Sequence, residues 1–257
     1  MLRDWREQRR LSQLALSAAT GVSTRHLSCV ETGRATPSRE LVLHLAEELD
    51  VPLRDRNHLL LAAGYAPTYR ERQLSDPELR PATDVLAAVV QRSDPNPTVV
   101  VDRYWNLVMA NAAAFWMCGS VVPELLEPPI NVARLSVHPH GLAPHVRNFE
   151  EYATHLMARI RRDAAVTRDA TLGRLVDEME ELCATHSLRS AVPRRANVGA
   201  PFAISLQIQV DGFELALFTT IATFGTPTDI TLAELSIETF YPADDDTAAV
   251  LATRPWA

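Results

Sequence analysis

The chain of 257 residues has no lysine; all 25 of its basic side chains are Arg. Cysteine is also scarce. Cys29, Cys118 and Cys183 are odd in number and widely spaced, which argues against a disulfide framework and against a Cys-type zinc site. A reducing, cytoplasmic setting is expected. Long apolar runs are missing too: residues 59–63 and 215–218 with their neighbours fall far short of the roughly 20 needed to span a bilayer. No membrane partner is expected. Residues 1–7 are charged and lack the apolar core of a signal peptide.

The remaining composition, 47% hydrophobic and 22% charged, is that of a globular chain able to bury a core. Its length suits one large or two ordinary domains. The formal charge of −7 argues against nucleic acid as a partner when taken over the whole chain. Counted locally it argues the other way. Residues 1–39 carry seven Arg and three acids, a net of +4, whereas residues 81–257 carry a net of −8.

That basic segment also has a pattern. Residues 1–64 read as short helices separated by turn signals. Ser12 sits at an N-cap position before a helix over 13–19, and Gly21 breaks it. Ser23 caps a second helix over 24–31, which Thr32-Gly33-Arg34 ends. Pro37-Ser38 opens a third to residue 49, with Leu41, Val42, Leu45 and Leu49 at helical spacing. A further helix is expected over 56–63. Helix, glycine turn and helix over 12–31 is the spacing of a helix-turn-helix. Val22, Leu27 and Val30 form its buried side, so Thr24, Arg25, Ser28 and Cys29 point outward with His26 at the margin. The start of the second helix meets base edges in the major groove. Arg25 suits a bidentate contact to guanine. Gln13 is placed to reach the DNA backbone, and Arg34 and Arg39 suit phosphates. The candidate DNA-binding residues are therefore Gln13, Ser23, Thr24, Arg25, His26, Ser28, Arg34 and Arg39. Double-stranded operator DNA is the expected partner. Because the motif reads two-fold symmetric half-sites, a homodimer is expected.

The rest of the chain has a different grammar. Residues 65–81 are polar and Pro-punctuated, a linker. Residues 84–91 are helical. Short strands are expected over 98–101 and 105–109 around a turn at Asp102-Arg103, then a helix over 111–117 and an irregular Pro-rich stretch over 121–144. Two amphipathic helices follow, with Phe149, Tyr152, Leu156 and Ile160 on one face of the first and Leu172, Leu175, Val176, Met179 and Leu182 on one face of the second. Ile204, Leu206, Ile208 and Val210 then alternate with polar residues. Asp211-Gly212 is a type I′ hairpin turn with a return strand over 213–223, and residues 235–241 make a third strand. Asp244-Asp245-Asp246 is read as a solvated terminal turn.

These segments carry two resemblances. Leu11-Ser12-Gln13, Gly21-Val22-Ser23, Leu27-Ser28, Val30 to Arg34 and Pro37-Ser38 resemble the phage-repressor-like XRE family of helix-turn-helix regulators. Residues 59–67, Val100 to Val108, Ala110-Asn111-Ala112-Ala113 and Thr223 to Pro227 resemble the ligand-binding domain of MmyB-like transcription regulators. The resemblance implies an α+β chain: an all-α five-helix helix-turn-helix domain over 1–66, a linker and connecting helix over 67–95, and a PAS-like α/β ligand-binding domain over 96–257. It also implies a small apolar ligand, fatty-acid-like or another; no cofactor is expected beyond such a bound ligand.

Trp105, Phe115, Trp116, Phe202 and Phe218, with Phe213 and Phe224, are candidates to line a ligand cavity, and ordinary core explains each as well. Asn111, within one of the resembling segments, joins them as a candidate ligand-binding residue. His138-Pro139-His140-Gly141 with His145 has a metal reading and a plain loop reading; the loop is preferred, since no Cys or helical His pair accompanies it. Cys29 has a redox reading and a plainer one as a small residue near DNA. No nucleophile–base motif is present, so an enzyme is not expected. A DNA-targeted enzyme or a partner-binding scaffold are the alternatives to a ligand-responsive regulator.

Overall fold

The computed structural model describes residues 1–189 and 205–254. The first half forms α1 (Leu2–Gln8), α2 (Gln13–Thr20), α3 (Thr24–Glu31), α4 (Arg39–Glu48), α5 (Leu53–Ala62), α6 (Arg80–Arg92), β1 (Thr98–Val101), β2 (Leu107–Ala110) and α7 (Ala112–Met117). The second half forms α8 (Val132–Val137), α9 (Phe149–Thr167), α10 (Ala170–Arg189), β3 (Ser205–Val210), β4 (Phe213–Ala222), α11 (Ile230–Ala233), β5 (Ser236–Pro242) and α12 (Asp245–Ala252). Among the described residues no helix is long and apolar enough to cross a membrane.

The chain divides into two units. The first comprises Met1–Gln73 together with Thr226–Ala233. Its helices start and stop where side-chain chemistry dictates. Ser12 Oγ accepts from the Ala15 amide at 3.0 Å, Ser23 Oγ from His26 at 3.2 Å and Ser38 Oγ from Leu41 at 3.2 Å. Each such cap contributes about 1 kcal/mol. Gly21 closes α2 with φ +71, where a side chain would be strained. Leu16, Leu27, Leu45, Leu49 and Leu60 are fully buried and form the centre. Beside them Arg6 forks onto Glu31 at 2.6 and 2.9 Å, with both side chains nearly inaccessible.

The stretch read as a linker is only partly one. Asn57 Oδ1 accepts from the Thr68 and Tyr69 amides, and its Nδ2 donates to the Tyr69 carbonyl at 2.7 Å. These bonds fold residues 65–73 onto α5, where buried Asn57 satisfies its own polar atoms. Thr226–Ala233 joins the same unit. Ile230, buried, donates its amide to the Arg70 carbonyl at 2.9 Å, and Arg72 pairs with Asp229 at 2.8 Å.

The second unit comprises Leu74–Gly225 and Glu234–Ala257. Its five-stranded sheet is antiparallel throughout, in the order β2-β1-β5-β4-β3. One sheet face presents Leu206, Ile208, Val210, Leu215 and Leu217, all buried in a core shared with α9 and α10. Asp211 and Gly212, at φ +49 and +83, make the expected type I′ turn between β3 and β4.

Three sequence expectations change here. Trp105 is not in a strand: it occupies the loop between β1 and β2 at φ +67, a conformation that costs a bulky residue about 1–3 kcal/mol. Asp102 holds the loop, its carboxylate accepting from the amides of Tyr104 and Asn106 at 2.8 and 2.9 Å. The 121–144 stretch contains α8, capped by Asn131, and two short 3-10 turns rather than irregular chain alone. Asp244 caps α12 by accepting from the Thr247 amide at 2.7 Å, so the acidic run opens a helix instead of a terminal turn.

Candidate functional site

Two places combine accessibility with organised chemistry, one in each unit. The first is the outer face of α3. Leu27 anchors the helix inward with no exposure, and that register leaves Thr24, Arg25 and His26 exposed and Ser28 and Cys29 half-buried. Ser23 serves as the helix cap. Among the described residues the side chains of Arg10, Arg25 and Arg34 make no hydrogen bond or ion pair with the protein, and Arg25 is exposed. The other basic side chains of this region are engaged. Arg3 pairs with Glu7, Arg6 with Glu31, and Arg9 donates to the Leu49 and Asp50 carbonyls at the end of α4.

Two DNA-binding candidates are placed differently from the expectation. Gln13 turns its Nε2 to Glu31 at 2.8 Å, so its amide supports the buried ion pair. Arg39 donates to Thr68 Oγ1 at 2.8 Å on the surface. Burial alone would raise the Glu31 carboxyl, but the hydrogen bonds from Arg6 and Gln13 and the Arg6 charge outweigh it and hold Glu31 below its usual range.

The second place is a narrow cavity of about 70 Å³ in the second unit, between the sheet and α7, α8 and α9. Val99, Leu107, Ala110, Leu206 and Phe240 form its sheet side, and Trp105, Ala114, Leu135 and Leu142 are among the residues closing it. Phe115 lies on its wall and is 51% exposed. Trp105 is buried, with the Arg159 guanidinium 4.5 Å from its ring centre. Four polar side chains interrupt the apolar lining: Cys118, Ser136, Tyr152 and Glu238.

Trp105 and Phe115 are thus the sequence candidates that reach this cavity. Trp116 does not; its indole N–H donates to Asp211 at 2.6 Å and Arg254 stacks on it at 4.0 Å. Phe218 points to the opposite face of β4 from buried Leu217 and stacks on Tyr241 at 5.5 Å. Asn111 is a structural cap. Its Oδ1 accepts from the amides of Thr98 and Ala114, and its Nδ2 donates to Asp94 and to the Asn96 carbonyl, which leaves no group for a ligand. Phe202 lies outside the described residues. The histidine loop is a tight turn against α8, where a Cβ on Gly141 would meet the Leu135 carbonyl at 2.2 Å. Glu238 and Tyr152 escaped sequence reasoning. Glu238 shares its face of β5 with Ser236 and Phe240, so the strand's alternation carried no signal for it; Tyr152 was read as a core-facing position only.

A helical unit with a capped, outward-facing α3 and a second unit with an apolar cavity define a DNA-binding transcription regulator with a ligand-sensing domain. The comparisons agree. Residues 2–55 match the helix-turn-helix family model, and residues 82–253 match that of the MmyB-like transcription regulator ligand binding domain. The chain belongs to the MmyB-like transcription regulator family. No curated protein is similar enough to count as a relative.

Proposed function

We propose that this regulator reads operator DNA through α3 and that a small apolar molecule in the sheet cavity sets its affinity for that DNA. The observation that carries the reading is the path of β5. Glu238 and Phe240 of β5 line the cavity, and the same strand continues N-terminally into α11, which packs within the helix-turn-helix unit. Arg103 strengthens that path. It lies two residues from cavity-lining Trp105 and holds Glu234, the residue after α11, at 2.9 Å and Asp169 at 2.7 Å.

The cavity's volume is well below the roughly 300–1,000 Å³ of ordinary ligand sites. A ligand of more than a few heavy atoms therefore enters by displacing lining side chains. Such a ligand favours the arrangement in which the wall has moved. This is the unequal binding of two states that any effector requires. We read the domain as a PAS-like sensor on its single antiparallel sheet and the cavity against one face. The tail of a fatty acid suits the lining. The protein is expected to act in the cytoplasm as a homodimer on two half-sites roughly 34–36 Å apart.

The test uses an operator duplex selected from a random-sequence pool. Its affinity is measured before and after organic extraction of apolar molecules that co-purify with the protein. A change of several-fold supports the reading; equal affinities remove the sensor role.

A further inference from the structure

The middle of α6 is apolar on all sides. Val85-Leu86-Ala87-Ala88-Val89-Val90 is an unbroken apolar run within the helix. One side of it is used by the second unit: Leu86 and Val90 are 1% and 3% exposed, and the helix packs on β1 and β2. The other side carries Val85 and Val89, one turn apart, at 58% and 41% exposure. A helix that is apolar all round is normally covered all round. Among the described residues nothing covers this second side.

The bare side carries its own complement. At 3.6 residues per turn, Val85, Ala88, Val89 and Arg92 share about 100° of the helix surface, and Asp84 borders them next to Ala88. Asp84 and Arg92 are both exposed, and among the described residues neither side chain makes a hydrogen bond or ion pair. They stand about two turns apart, with half-buried Ala88 midway between them. Two copies of α6 laid antiparallel across a two-fold axis at Ala88 bring each Asp84 beside the partner's Arg92. The small Ala88 side chain lets the helices approach at the crossing. Val85 and Val89 of both copies are then enclosed between the two charge pairs. A parallel pair would instead set Asp84 against Asp84 and Arg92 against Arg92.

A patch that matches itself under a two-fold rotation is what an isologous interface requires. We infer that a second copy of this chain docks antiparallel on this face of α6, through Val85, Ala88 and Val89 with reciprocal Asp84–Arg92 pairs. The inference rests on the homodimer reading above and assigns the surface that forms the dimer. Four valines bury far less than the roughly 1,000 Å² that a stable interface clears. The free dimer is therefore weak, and a duplex with two half-sites strengthens it by holding two copies together.

Two measurements on the full chain test it: sedimentation velocity over a range of concentration, and titration of duplexes carrying one or two half-sites. Wild type should self-associate weakly and fill two half-sites cooperatively. Val85→Glu should weaken both association and cooperativity at least about tenfold, because it places a charge in the apolar contact. Asp84→Arg and Arg92→Asp should each weaken them about three- to tenfold, since each creates two like-charge pairs. Asp84→Arg combined with Arg92→Asp restores opposite charges and should return to within about threefold of wild type. All these side chains are exposed, so thermal midpoints should stay near that of wild type, and affinity for a single half-site should stay within about twofold. Wild-type pairing that no variant weakens overturns the inference and leaves the homodimer reading standing. Single reversals that weaken pairing without recovery in the double variant overturn the antiparallel Asp84–Arg92 arrangement. A wild type that stays monomeric and fills the two half-sites independently removes the homodimer reading, and the inference with it.

Discussion

Arg72 and Asp229 lie 157 residues apart in sequence and form a 2.8 Å ion pair inside one unit. Asp229 is nearly inaccessible and also caps α11, accepting from the Thr231 amide at 2.9 Å. The Thr231 hydroxyl adds a bond to the Arg72 carbonyl. A loop between two strands of the sensor sheet thus completes the helix-turn-helix unit. Arg72→Met should loosen this attachment by about 1–3 kcal/mol, since it leaves Asp229 buried without its cation. The ligand cavity contains neither residue, so affinity for an apolar molecule extracted from the protein should stay within about twofold of wild type. Operator affinity should lose most of its response to the ligand. Calorimetry and fluorescence anisotropy on the same preparation check both halves. Full retention of the response counts against α11 as the route of coupling.

Arg25 tests the reading helix. It is exposed and its side chain, among the described residues, makes no hydrogen bond or ion pair, so Arg25→Ala should leave the thermal midpoint nearly unchanged. Sequence preference at one operator position should drop by about 1–3 kcal/mol, the discrimination of a bidentate guanine contact. Affinities for a panel of single-base operator variants measure this. A uniform loss across the panel would reassign Arg25 to a phosphate.

The salt response follows from which arginines are engaged. Of the seven in residues 1–39, the side chains of Arg3, Arg6, Arg9 and Arg39 have polar protein partners, and those of Arg10, Arg25 and Arg34 have none among the described residues. With Arg25 on a base, Arg10 and Arg34 leave about two phosphate neutralisations per protomer, so the slope of log K against log salt should be about −2, and about twice that for a dimer. Titrations over a range of ionic strength give the slope directly. A flat profile would contradict backbone contacts by this face.

The helical unit was largely legible because its signals are local. Ser12, Ser23, Ser38 and Gly21 each act within three or four residues of themselves, and all four do what their types imply. The cavity was less legible. Trp105 and Phe115 were found as large apolar residues, but size does not say which sheet face a residue takes, and Phe218 falls on the opposite side from Leu217. Asn111 shows the same limit for polar groups: a buried amide that joins three segments resembles a ligand-binding amide until its partners are seen. The docking of 226–233 depends on a pair 157 residues apart, and no periodicity or cap reports that.

Arg6 and Glu31 supply the last prediction, because they tie α1 to the C-terminal end of α3. Their side chains are 10% and 1% exposed, and Gln13 adds a third hydrogen bond. Glu31 is held below its ordinary value, so the pair stabilises the fold fully above the unfolded carboxyl range, and this is lost as pH falls through the depressed native value. Relative to wild type, Glu31→Gln should remove this component of the acid sensitivity. Arg6→Met should act in the opposite sense. It leaves a buried carboxylate without its cation, which costs about 3–5 kcal/mol at neutral pH. Protonation then relieves the penalty, so mild acid should recover part of the stability. Urea midpoints for the three proteins between pH 7 and pH 3 separate these cases. Parallel curves for wild type and both variants would show that the pair contributes position and no pH-dependent stability.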